Sequence, residues 1–158
     1  MLINGATSPI PPHPFLSCAA AVVYGLLAGS FVFGTLGLRP AVGKLPLDLQ
    51  LRLRPLLIHR ISKAMPLLMI LSIVLSGLTL FYGGPANRIC DWAASLLSLS
   101  VFIMTLAVHR PINLQILAWS DNPPVDAAKI IDRWNRADTI RCILAVAGYV
   151  FFQWGNTR

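Results

Sequence analysis

The chain is predicted to be an all-α integral membrane protein, a four-helix bundle with an amphipathic cytosolic connection. Three observations carry that expectation. Phe15 to Leu38, Ala64 to Tyr82 and Trp92 to Val108 hold no charged residue. The 158 residues are 56% hydrophobic and 12% charged, with a mean hydropathy of +0.68. The basic residues gather on alternate connections. A helix crosses about 30 Å of hydrocarbon with about 20 apolar residues, and its backbone must be satisfied within the segment. Runs of this length therefore suit helices and not the strands of about ten residues found in outer-membrane barrels. Residues 1–158 read as a single membrane domain with spans at about 15–38, 64–82, 90–110 and 136–156.

Met1 to Pro14 contains no Lys or Arg and has prolines at 9, 11, 12 and 14. It lacks the basic start of a cleaved signal peptide, so the first apolar run is expected to be retained as a span. Gly25 and Gly29 are four apart on that helix and predict a close helix contact. In the next connection, Leu45, Leu47, Leu49, Leu51 and Leu53 alternate like a strand, whereas Leu49, Leu53, Leu56 and Leu57 fit a helix. A lone strand at a bilayer surface leaves its edges unpaired, which favours an amphipathic helix forming a lid or collar. Asp121-Asn122-Pro123-Pro124 is a turn signal, and the pattern after Val125 predicts one helix to about Trp154.

Eleven of the thirteen cations flank or fill the first and third connections, and only Arg88 and Arg158 lie opposite. The positive-inside rule puts those connections in the cytosol, with both termini and the Gly83 to Asn87 turn on the other side. The net charge of +7 is thus assigned to topology and lipid headgroups, with no nucleic-acid partner. The bilayer is the expected surrounding, in a membrane whose identity is open, and a homo-oligomer is also open.

Because the last apolar run, Cys142 to Trp154, is short, its helix must carry Asp138 and Arg141 to membrane depth. Ionisable groups there are costly and commonly mark a site. Trp134, Asp138 and Arg141 share one helical face at i, i+4 and i+7. His109 and Asn113 are four apart at the end of the third span, with Pro111 between them, and His59 lies on the same side of the membrane. The expected catalytic residues are Asp138, Arg141 and His109, with Asn113, Trp134 and His59 as binding residues. Asp138 and Arg141 can equally be a purely structural ion pair. Three histidines are too few for a di-iron site, and no zinc spacing or C-x-x-C pair occurs, so no metal or cofactor is expected. A haem between His59 and His109, and a disulfide between Cys18 and Cys90, are minor alternatives.

Pro111-Ile112-Asn113, the connection with Asp121, and Arg133-Trp134-Asn135 with Arg141 before an apolar helix resemble the anthrone oxygenase family of small membrane proteins. The first span ending in Arg39-Pro40-Ala41 is similar as well. The resemblance implies cofactor-free tailoring of lipophilic polycyclic polyketides in secondary metabolism, with Asn113, Trp134 and Arg141 as site residues. The family pattern has a histidine four residues after the tryptophan, where this chain has Asp138. In the implied chemistry a base removes a ring-methylene proton and a donor holds the enolate oxygen, for which Asp138 and Arg141 are the respective candidates. A redox-neutral cyclase, isomerase or pericyclase is the enzymatic alternative, and a tetraspan partner subunit without a site is the non-enzymatic one.

The charge asymmetry makes one direct claim. In a chain whose native cysteines are replaced, single cysteines at positions 52 and 129 are expected to react with an impermeant maleimide from the cytosolic side. Labelling of either from the opposite side contradicts this topology.

Overall fold

The fold is described by a computed structural model over residues 14–82, 88–119 and 123–157. Every regular element among them is helical. Helix α1 spans Pro14–Gly43, α2 spans Leu47–Tyr82, α3 spans Arg88–Leu117 and α4 spans Ala127–Asn156. Three helices are long and apolar enough to cross a membrane: α1, the Lys63–Tyr82 part of α2, and α3. Helix α4 carries Asp132, Arg133, Arg136, Asp138 and Arg141 in its first half, which sets it apart from those three. The proline-rich leader, the Gly83 to Asn87 turn, Asp121-Asn122 and Arg158 lie outside the described residues.

Helix α4 packs against α1 and α3, and α2 packs against the same two. The core falls into three layers. At one end Tyr24 stacks on Phe152 with ring centroids 4.9 Å apart, beside Ala20 and Ala94. Leu27, Phe31, Met69, Val101, Cys142 and Ala145 fill the middle. At the basic end Ile58 meets Ile112, Ile116, Trp119, Ala127 and Ile131. The wide apolar surface left outside these layers, including Leu26, Leu67, Leu96 and Ile143, suits hydrocarbon as its solvent.

Two expectations are corrected. The first connection is not a separate lid or collar, because α2 runs unbroken for 36 residues through Pro55 and Pro66. Each proline withdraws one N–H from the ladder, but the helix is held by packing on both sides of it. Leu51 and Ile58, seven apart on the inward face, join the basic-end layer. The two glycines of α1 do not act together. A Cβ at Gly25 would touch the Tyr149 ring at 3.6 Å, whereas Gly29 is exposed with open space beside it. The buried face of α1 runs through Ala20, Tyr24, Leu27, Ala28 and Phe31, and Gly29 lies just off it. Cys18, Cys90 and Cys142 are free thiols.

Helices α1 and α3 share one irregularity. Each widens into a π-helical turn, at Phe33–Leu38 and Thr105–His109, and each turn leads directly into an Arg-Pro pair, Arg39-Pro40 and Arg110-Pro111. A proline ring inside a helix collides with the carbonyl four residues back, and a wider turn relieves that collision. The consequence is local: Thr35 and Thr105, one in each widened turn, face the neighbouring helix α4.

Gly148 lies on α4 where α1 and α3 both come close. A Cβ there would lie 3.5 Å from the Leu97 Cβ, 3.6 Å from the Tyr24 ring and 3.8 Å from the Ala94 carbonyl oxygen. Gly148→Ala is expected to be tolerated. Gly148→Leu is expected to cost about 1–3 kcal/mol by overpacking, read as a lower thermal midpoint in detergent. Equal midpoints for both variants contradict this packing.

Candidate functional site

The site lies where the two widened turns meet the first half of α4. Asp138 and Arg141, three apart on α4, form an ion pair with Oδ1 accepting from Nη2 at 2.6 Å. Their side chains are only 8% and 9% exposed. The other carboxylate oxygen accepts from the Thr35 hydroxyl at 3.3 Å. Arg141 Nη1 donates to the Thr105 hydroxyl oxygen at 3.1 Å, and that hydroxyl donates onward to the Val101 carbonyl at 2.8 Å. The guanidinium also lies over the Phe31 ring at 4.9 Å. A buried ion pair depends on partners for its remaining polar atoms, and the two threonines supply two of them, while Arg141 Nε is buried without an acceptor.

A second polar group sits one turn earlier on α4. Asn135 receives two arginines: Arg39 Nη1 donates to its carbonyl at 2.8 Å, and Arg54 Nη2 donates to its Oδ1 at 3.2 Å. The same Arg39 nitrogen donates to the Thr139 hydroxyl at 2.8 Å. Arg54 also lies over the Trp134 ring at 5.3 Å. Burial lowers the Arg54 guanidinium from its ordinary value; Asp138 opposes that shift and Arg39 adds to it. A guanidinium remains charged even so. Trp134 Nε1 donates to Asn113 Oδ1 at 2.8 Å, tying α4 to α3.

These groups border a cavity of about 500 Å³, within the usual range for a small-molecule site. Asn113, Trp134, Asp138 and Arg141 line it together, with apolar walls from residues such as Leu57, Ile61, Met65 and Leu106. The other two expected site residues stand apart. His109 is fully buried and lies edge-on to Trp134 at 5.5 Å, outside the cavity wall. Neither of its ring nitrogens has a partner in hydrogen-bond geometry; the Met104 backbone interacts with the ring outside that geometry. The widened turn ends at His109 and regular α-helix follows, so His109 and Asn113 keep their i, i+4 relation and both meet Trp134. His59 is exposed on α2 beside Leu56, Arg60 and Lys63, in a separate groove. A haem spanning His59 and His109 does not fit this placement. Among the described residues no three His, Cys, Asp or Glu side chains cluster as a metal site would require.

The helical pattern of α4 did not point to Thr35, Arg39, Arg54, Thr105 or Asn135. The available signal was the repeated Arg-Pro pair at 39–40 and 110–111, each closing an otherwise uncharged apolar run.

The arrangement offers a carboxylate and several fixed donors within an apolar enclosure, which can move a proton and hold a developing oxyanion. A family model described as Anthrone oxygenase matches residues 55–151. That range contains Asn113, Trp134, Asp138 and Arg141. No curated protein and no solved structure matches the chain.

The pair should reveal itself in stability. Asp138→Ala leaves a buried guanidinium uncompensated and is expected to cost about 3–5 kcal/mol. The double change Asp138→Ala with Arg141→Met should recover most of that loss. A double variant as unstable as the sum of the single ones contradicts a mutually satisfied pair.

Proposed function

The chain belongs to the anthrone oxygenase family, and on that premise we propose that it is a membrane enzyme of secondary metabolism that oxygenates a lipophilic polycyclic substrate by general acid–base chemistry without a cofactor. The observation that carries this reading is the cavity itself: one buried carboxylate and a set of fixed donors in an otherwise apolar enclosure. In the bilayer, α4 crosses as the fourth span, with its charged half at the cytosolic boundary. A hydrophobic substrate reaches the cavity from the hydrocarbon.

The ring methylene of an anthrone is acidic because its carbanion is delocalised onto the carbonyl across the central ring. Asp138 takes the methylene proton, and the weaker of its contacts, the 3.3 Å bond from Thr35, is the one a substrate displaces. Carbonyl and methylene lie on opposite sides of the ring. Arg141 is engaged with Asp138 and Thr105, so it acts as a positioning residue on the carboxylate side. This moves the oxyanion role, given to Arg141 in the chemistry that the resemblance implies, to Asn113. Indole N–H is a donor only, so the bond from Trp134 fixes Oδ1 of Asn113 as its acceptor and leaves the amide hydrogens for the enolate oxygen. The enolate then reduces O₂. Anthrone plus O₂ gives anthraquinone plus water: one oxygen atom enters the ring, and the other leaves with the two methylene hydrogens.

A redox-neutral proton transfer uses the same groups up to the enolate, and Asp138 in place of histidine favours keeping that reading. Oxygen separates the two. Membranes holding the protein are expected to consume O₂ in proportion to anthrone lost, with a product one oxygen heavier and two hydrogens lighter. Asp138→Asn and Asn113→Leu should each lower turnover about 10²-fold or more while remaining folded. Product formed without O₂ uptake selects the redox-neutral reading. Full turnover in both folded variants overturns the assigned roles.

A further inference from the structure

The charge lining the cavity is unbalanced. Asp138 is its acid among the described residues, and Arg141 and Thr35 already engage it. Arg39, Arg54 and Arg110 add three further guanidinium groups to the wall. The hydrogen bonds of Arg39 and Arg54 go to neutral acceptors, two of them on the same Asn135. Two like charges are thus gathered on one asparagine. The proton-transfer chemistry needs a single oxyanion holder and leaves this pair without a task.

Two further donors on the arginines of this wall have no acceptor among the described residues. Arg54 Nε is buried with no acceptor, and so is Arg141 Nε, on a side chain more than nine-tenths buried. A guanidinium offers five donors in a planar fork that matches a carboxylate, so Arg39 and Arg54, which line the cavity with only neutral hydrogen-bond partners, suit such a group. Headgroup anchoring suits outward cations such as Arg52, Arg60 and Lys63, which are exposed. Arg39 and Arg54 are half-buried and turned to the cavity.

We propose that the substrate is an aromatic polycyclic acid, whose carboxylate is taken by Arg39 and Arg54 while its ring system lies against Trp134 and the apolar wall. This rests on the cavity being the substrate site and adds a specificity to it: Arg39 and Arg54 select a charged substrate over its neutral analogue. The charged group also fixes which end of the ring faces Asp138.

The test uses the full chain in zwitterionic nanodiscs, with anthraquinone-2-carboxylate and the uncharged anthraquinone-2-carboxamide as probes of nearly the same shape. The carboxylate is expected to bind at least about tenfold tighter, the scale of one charge-assisted contact. That preference should shrink toward unity in Arg54→Gln and in Arg39→Gln, with Arg52→Gln, an exposed cation nearby, retaining it. Equal binding of the two probes overturns the proposal, as does a preference that survives both substitutions. A further arm adds phosphatidylglycerol to the nanodiscs. Loss of carboxylate binding to that lipid at comparable occupancy makes the arginines a headgroup site and overturns the proposal as well. Oxygen uptake with a neutral anthrone is measured in parallel. Uptake without acid preference sinks this inference and leaves the oxygenase reading standing, whereas acid preference without uptake does the reverse.

Discussion

The Asp138–Arg141 pair is the constraint around which the rest of the structure is arranged. Two opposite charges three residues apart on α4 are buried at the edge of a strongly apolar assembly. Removing such a pair from water costs several kcal/mol per ion, and Coulomb attraction offsets that only when the remaining donors and acceptors are met. Thr35 and Thr105 meet two of them. Each threonine sits in a π-helical turn, and each turn is closed by an Arg-Pro pair. Backbone irregularity in α1 and α3 therefore serves a charge on α4. The incomplete part of the arrangement is the Arg141 Nε, which is buried without an acceptor.

That arrangement explains how a small, mostly apolar chain can maintain a polar enclosure. The middle and distal layers are packed conventionally, with Tyr24 on Phe152 and Gly148 close to Leu97, Tyr24 and Ala94. Toward the basic end the packing gives way to a cavity bounded by α1, α2, α3 and α4 together. Trp134 joins the two regimes. Its ring is flanked by His109 and Arg54, and its N–H holds Asn113. The single side chain thus sets the orientation of the group proposed to hold the oxyanion and forms part of the wall against which a ring would lie.

Much of this was legible in the sequence because hydrophobic periodicity and charge are strong signals in long helices. The uncharged runs marked the apolar helices, and the pattern from Val125 onward marked α4, including the common face of Trp134, Asp138 and Arg141. The rest depended on tertiary context. Leucine alternation before Pro55 did not reveal that α2 continues through two prolines, since packing of Leu51 and Ile58 decides it. Spacing of four suggested that His109 and Asn113 act together, and both do meet Trp134, but His109 is fully buried behind that ring and outside the cavity wall. Thr35 and Thr105 are ordinary residues in apolar runs until α4 is placed opposite them. Arg39 and Arg54 looked like headgroup anchors, and only their bonds to Asn135 turn them inward.

The central claim is that the cavity abstracts a proton from a ring methylene. The most direct measurement is deuterium exchange at the methylene of an anthrone in D₂O, under strict exclusion of O₂, with membranes containing the protein. Without oxygen the enolate has no onward path and must be reprotonated, so exchange reports the proton-transfer step alone. Exchange well above that of protein-free membranes is expected, reduced about 10²-fold or more in folded Asp138→Asn. Exchange at the protein-free rate, or undiminished in that variant, contradicts the claim.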